Sequence, residues 1–292
     1  MAGPNPFATP QGAAVRLSQW LDACFSSSPV DRFPVDVPAI ALGIGQQMNV
    51  ADRIVQVQAF QAKAFEGGLF QIDPQKWALL YNDTGVSPRR VRFTQAHELG
   101  HFIVHRTLKT TFECSEGETA GWSDGDRNIE READDFAANL LMPRTHFERK
   151  VAGSQIDFEA ISSAADDFGV SLTAAALRWL RITNESAVLV SSNEGFINWS
   201  VSSDRALKNG AYFRTVGRPP VEVPAASIAS DPMRPHARSG GPVALQTWFK
   251  YAHRDAVARE MKVQCDNHGF ALSLLHLSPT DAAWPPRPFE EL

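Results

Sequence analysis

The sequence is poor in cysteine, in long apolar runs and in positive net charge, and each shortage removes a class of function. Its three cysteines, Cys24, Cys114 and Cys265, are odd in number, far apart and without a C-x-x-C pair. That excludes a disulfide framework and a thiolate zinc knuckle. Cys114 sits between Glu113 and Glu116, whose charges raise a thiol pKa, so a nucleophilic cysteine is not indicated. No apolar run approaches the roughly 18 residues that cross a bilayer. The longest candidates, such as residues 270–277, are strand-sized and include Ser273 and His276. The first eleven residues are rich in Pro, Gly and Ala, with neither a basic n-region nor an apolar h-region, and a cytoplasmic protein with a flexible start is expected. A net charge of −5 gives no global pull toward phosphate backbones, and direct DNA binding is not expected.

What is present is an ordinary globular composition, 43% hydrophobic and 21% charged, over 292 residues, which favours two domains. Helices are expected over residues 15–25 and 38–47, and strand formers gather at 52–65. Residues 69–72 and 77–81 read as a hairpin joined by a four-residue connection at 73–76. Thr94 is expected to cap a helix over 95–106, residues 110–128 to form a long acidic loop, and residues 129–142 a helix stopped by Pro143. Helices over 159–167 and from Ser171 to about Leu180, broken at Gly169, have helix-turn-helix spacing. After Thr183 come short strand-like runs at 187–190, 196–201 and 212–216, then a Pro/Gly-rich stretch at 219–242 where mobility is expected. A helix over 255–263 and a strand over 270–277 complete the chain. The fold class expected is α+β, with a domain boundary near 184: residues 14–183 as one domain and 184–292 as a smaller C-terminal α+β domain.

The chemistry lies in His97-Glu98-Leu99-Gly100-His101, an HExxH string. On a helix, residues four apart differ by about 40° and ~6 Å, so both imidazoles leave one face and converge on one metal ion. Glu98, about 100° from His97, can hold an attacking water and exchange its proton without being a ligand. Ala96, Leu99 and Ile103 supply the opposite, packing face.

A hydrolytic zinc site takes three protein ligands. His105 continues the spacing but lies about 12 Å from His97 along a helix, too far to share an ion with it, and is expected to pack or to sit at the helix end. The metzincin extension needs Gly at 104 and His at 107, where Val104 and Thr107 stand. In the helix from Glu130 to Leu141, Ala133, Phe136, Ala137 and Leu140 define a buried face with Glu130 and Asp134 at its edge, while Glu132 and Asp135 point away. Glu130 is favoured as third ligand, with Asp134 hydrogen-bonded to a ligand histidine. His146, Glu113, Glu116 and Glu118 remain alternatives. Tyr81, His105 and His146 are candidates for an oxyanion donor, and strand 77–82 could offer an edge to an extended peptide or be plain core.

Phe65-Glu66-Gly67-Gly68-Leu69, the run from Arg92 to Phe102, Glu130-x-Glu132-Ala133-Asp134-x-Phe136-Ala137 and Leu140-Leu141-Met142-Pro143 together resemble the ImmA/IrrE family of metallo-endopeptidases, over about residues 14–183. The resemblance implies a cytoplasmic, mainly helical, zincin-like (gluzincin-like) peptidase domain with a small sheet and helix-turn-helix-like helices, binding Zn2+. It implies cleavage of a helix-turn-helix transcriptional repressor, which switches on a stress or mobile-element programme. His97 and His101 match the family's histidine ligands, Glu98 its catalytic glutamate and Glu130 its acidic ligand. Asp134 stands where the family often has Asn. A non-cleaving antirepressor and a DNA-binding regulator are the alternatives, the latter weakened by a second helix, 172–178, whose basic residue is Arg178 alone.

Overall fold

A computed structural model describes residues 7–28, 31–62, 65–115, 124–153, 155–265 and 269–284. The architecture is α+β with two sheets. Two compact units emerge, one of Met1–Phe147 with Ala165–Ser171 and one of Glu148–Ala164 with Leu172–Leu292.

In the first unit α1 (Pro10–Phe25) begins five residues before the periodic run, because Thr9 caps it by accepting from the Gly12 N–H and Pro10 suits the first turn. α2 (Val37–Gln47) is capped in the same way by Asp36. β1 (Arg53–Ala59), β2 (Phe65–Asp73) and β3 (Lys76–Tyr81) follow. The connection between β2 and β3 is Pro74-Gln75, two residues rather than four, since Gln75 accepts a φ of 63° and Asp73 pairs with Lys76. α3 (Pro88–Gly100) starts at the Ser87-Pro88 pair, the Ser87 side chain accepting from the Arg90 N–H. Thr94 is therefore buried inside this helix and not its cap. The helix widens into a π turn, His101–His105.

β4 (Thr111–Ser115) occupies the start of the expected loop and pairs antiparallel with β2. α4 (Asp124–Leu141) then packs on α1 and α3. The sheet order is β1-β3-β2-β4, so β3 is internal and both its edges are paired. It offers no edge to a peptide. Trp77, Leu79, Leu69 and Phe102 are fully or almost fully buried between the sheet and the helices.

Beyond α5 (Arg144–Val151) and α6 (Phe158–Phe168), the chain turns at Gly169 into α7 (Leu172–Ile182). In the second unit α7 meets β5 (Ser186–Asn193) and β6 (Phe196–Ser202). α8 (Asp204–Lys208), β7 (Val221–Glu222), β8 (His236–Ala244), α9 (Leu245–Trp248), β9 (Val257–Cys265) and β10 (Phe270–Leu277) complete an antiparallel sheet of order β7-β6-β5-β10-β9-β8. β9 stands where a helix is expected. Its Ala, Arg, Glu, Met and Lys favour helix intrinsically, but pairing with β8 on one side and β10 on the other overrides a propensity worth tenths of a kcal/mol per residue. The Pro/Gly-rich stretch likewise supplies β7 and much of β8, and residues 212–216 form no strand. Among the described residues no helix is long and apolar enough to cross a membrane.

Candidate metal centre

The closeness of α3 and α4 begins with small residues. Gly100 faces Ala133 and Phe136, and a methyl on Gly100 would sit 3.0 Å from Cδ1 of Phe136 and 3.3 Å from Cα of Ala133. Ala133, Phe136, Ala137 and Leu140 are wholly buried, as are Ala96 and Leu99 opposite the histidines. The helices thus meet along their apolar stripes and place polar residues face to face at the margin.

There His97, His101 and Glu130 bring one ligand atom each within 4.8 Å of one another, a group able to hold a metal ion. His97 Nε2 lies 3.0 Å from His101 Nε2 and 3.1 Å from Glu130 Oε2, and Glu130 Oε1 is 3.5 Å from His101 Nε2. Burial pushes the His101 imidazole down to about 4, so at neutral pH it is uncharged with a lone pair to offer. Burial opposes ionisation of Glu130, yet its close contacts with His101 and His97 outweigh it and hold the carboxyl below its ordinary range. Two imidazoles and one carboxylate are a donor set for a divalent cation.

Asp134, one turn along α4 from Glu130, places Oδ1 2.9 Å from Nδ1 of His97, the side of the ring turned away from the cluster. Glu98 is fully buried on the adjacent face of α3. The backbone of β2 passes over it: a Cβ on Gly67 would lie 3.1 Å from Glu98 Oε1 and collide with Cγ2 of Thr94. Glycine at this position is what lets the strand approach the carboxylate.

The remaining candidates fall elsewhere. His146 Nε2 is 3.1 Å from Asp22 Oδ1 and 3.1 Å from Arg32 Nη1, in a polar group at the first turn of α5. Glu113 is exposed on β4, and Glu116 and Glu118 lie outside the described residues. Tyr81 ends β3 beside an open cleft of about 510 Å³ lined also by Arg92 and Gln95. Glu132 does not point away to solvent: its Oε2 is 3.0 Å from Nε2 of the buried His105. The ring of Phe112 on β4 stacks on His101 at 4.6 Å and 16°. Sequence reasoning missed Phe112 because β4 follows the site helix without hydrophobic periodicity long enough to mark a strand.

Residues 51–180 match the IrrE N-terminal-like domain of the peptidase M78 family. No curated protein matches the chain. Among the solved structures that do is a Mycobacterium tuberculosis transcriptional regulator, 14% identical with a TM-score of 0.50, over 93% of this chain and 80% of that one. At that identity the likeness speaks for the fold alone. The matched segment contains His97, Glu98, His101 and Glu130, and it is this domain, residues 51–180, that is similar to the ImmA/IrrE metallopeptidases.

Proposed function

We propose that the protein is a zinc-dependent endopeptidase acting in the cytoplasm on one partner protein, a helix-turn-helix transcriptional repressor whose cleavage releases a stress or mobile-element programme. The observation that carries the reading is the spacing of the three ligand atoms. Ligands around Zn2+ with bonds near 2.0–2.1 Å stand about 3.3 Å apart; here the two Nε2 atoms are 3.0 Å apart, one Glu130 oxygen is 3.1 Å from His97 Nε2 and the other is 3.5 Å from His101 Nε2. His97, His101 and Glu130 would hold the ion and leave its fourth position to water or substrate. Once bound, the ion would supply Lewis-acid polarisation of the scissile carbonyl and lower the pKa of a water toward neutrality.

The chain's own residues do the rest. Glu98 takes a proton from the attacking water and returns it to the leaving amine, and its burial beside β2 favours the transfer by excluding bulk water. Asp134 accepts from the Nδ1–H of His97, which leaves Nε2 unprotonated as ligand atom. β4, the outer strand beside β2, carries Phe112 against His101, so its other edge, which has no partner strand among the described residues, is the place for an extended peptide to add as a strand. Residues 184–292 then govern when or what the enzyme cuts.

The test is incubation of the zinc-loaded protein with a candidate repressor, read on a gel, beside Glu98→Gln. Cleavage by the wild type and none by the variant supports the enzyme. Tight binding without cleavage supports an antirepressor. A DNA-binding regulator would show nanomolar, sequence-specific affinity at physiological salt. Of the two arginines of α7, Arg178 is 6% exposed and only Arg181 is outside, which speaks against that third outcome because a groove-reading helix needs its cations outside.

A further inference from the structure

His105 is buried, at 2% exposure, at the far end of the π turn that begins with His101. Its Nδ1 is 3.2 Å from Nδ1 of His101, and its Nε2 is 3.0 Å from Oε2 of Glu132. The other oxygen of Glu132 accepts from Nδ2 of Asn128 at 2.9 Å, so the carboxylate is itself clamped. The opposite nitrogen of His101, Nε2, is the one turned to His97 and Glu130.

With a divalent cation among the three ligand atoms, these contacts are met by the following arrangement of protons. An ionised carboxylate only accepts, so Nε2 of His105 carries a proton toward Glu132. Nδ1 of His105 is then the acceptor in its contact with His101, and the proton between the two Nδ1 atoms belongs to His101. His101 is left with a bare Nε2 facing the cluster. We propose that Glu132 and His105 are positioning residues, which fix the tautomer and ring orientation of His101 so that Nε2 is presented to a divalent cation. The inference rests on the metal-site reading above and extends it to two residues that reading does not use.

The two histidines of the site are thereby treated alike. Behind His97 stands Asp134 directly, and behind His101 stands Glu132 through the ring of His105. Glu130, Glu132 and Asp134 all belong to α4, so one helix supplies the acidic ligand and both orienting carboxylates. Glu132 lies about 200° around that helix from Glu130 and faces away from the ion. His105 bridges the difference. The π turn contributes by widening the backbone through i→i+5 bonding, a feature concentrated at functional positions, and here it brings the ring centroids of His101 and His105 to 5.2 Å. With Phe112 stacked on one face, the His101 ring is held both in plane and in rotation.

The experiment measures zinc affinity of the full chain by competition with a chromophoric chelator, and the visible absorption of the cobalt-substituted protein. Four variants are compared: Glu132→Ala, Glu132→Gln, His105→Leu and His105→Asn. Glu132→Ala and His105→Leu should weaken zinc binding by about 10–100-fold and shift the cobalt bands. Glu132→Gln keeps a carbonyl acceptor, and the carbonyl of His105→Asn can replace the ring acceptor, so both should recover most of the affinity. A purely structural role would lower the unfolding midpoint and leave the cobalt spectrum of the folded protein unchanged. Wild-type zinc affinity and cobalt spectrum in folded Glu132→Ala and His105→Leu would overturn the proposal. Should His105→Leu fail to fold, Glu132→Ala decides alone, since that side chain is 35% exposed and its loss leaves the core intact. A wild-type chain that takes up no zinc would overturn the metal site itself; loss of zinc in Glu130→Ala with unaltered binding in the Glu132 and His105 variants would overturn this inference only.

Discussion

Replacing Gly100 by alanine measures how far the centre depends on the closeness of two helices. The added methyl would lie 3.0 Å from Cδ1 and 3.3 Å from Cβ of Phe136, and 3.3 Å from Cα of Ala133. Carbon atoms rest at about 3.5–4.0 Å, and a Cα cannot swing aside, so α3 and α4 must part by a few tenths of an ångström. Two effects on stability oppose each other. Alanine in a helix interior is favoured over glycine by ~1 kcal/mol, whereas overpacking costs ~1–3 kcal/mol. The net loss is about 0–2 kcal/mol, or at most a fall in Tm of some 8 °C at about 2–4 °C per kcal/mol for a unit of this size. The site should respond more sharply, because Glu130 rides on α4 and both histidines on the opposing segment. Ligands must be held to about 0.5 Å, and a shift of that order should weaken zinc binding on the order of tenfold. The assay pairs chelator competition for zinc with thermal unfolding of the zinc-free protein. A raised Tm together with wild-type zinc affinity would refute the argument, since it would mean that the helices were never in limiting contact.

Four further outcomes are expected. Glu130→Ala should strip zinc from the purified protein, as metal analysis would record. Gly67→Ala crowds Thr94 and approaches Glu98 Oε1 to 3.1 Å, so it should retain zinc but lower cleavage of the repressor; equal loss of both would place the effect on folding. Burial raises the Glu260 carboxyl above its ordinary value of 4.5, against hydrogen bonds from Trp248 and Ala229. A carboxyl raised on folding contributes most below the unfolded value and loses that contribution as pH rises through the folded one. Urea unfolding from pH 4 upward should therefore show a decline with pH that is absent in Glu260→Gln. A chain ending at Asn184 should still bind zinc, because every proposed ligand precedes residue 144, but should cut with altered control or selectivity; loss of zinc in that fragment would abandon residues 184–292 as a separate regulatory part.

Local chemistry decided much of this protein before any folding is considered. The spacing of His97 and His101, the apolar stripe Ala133, Phe136, Ala137 and Leu140, and the placement of Glu130 and Asp134 beside it follow from helical periodicity, which sequence displays directly. Strand 270–277 is legible as a short, strand-sized apolar run, and the break at Gly169 because glycine takes a φ of 62° at little cost. What tertiary structure decided is wherever distant segments compete with local preference. β9 is a strand because two neighbours pair with it, although its residues favour helix. β3 lost its free edge to β1, a partner more than twenty residues earlier. Glu132, on the outward side of its helix by periodicity, gained a buried partner because the HExxH helix widens into a π turn and carries His105 to it. Periodicity places a residue on its own element, while only packing determines what that residue meets.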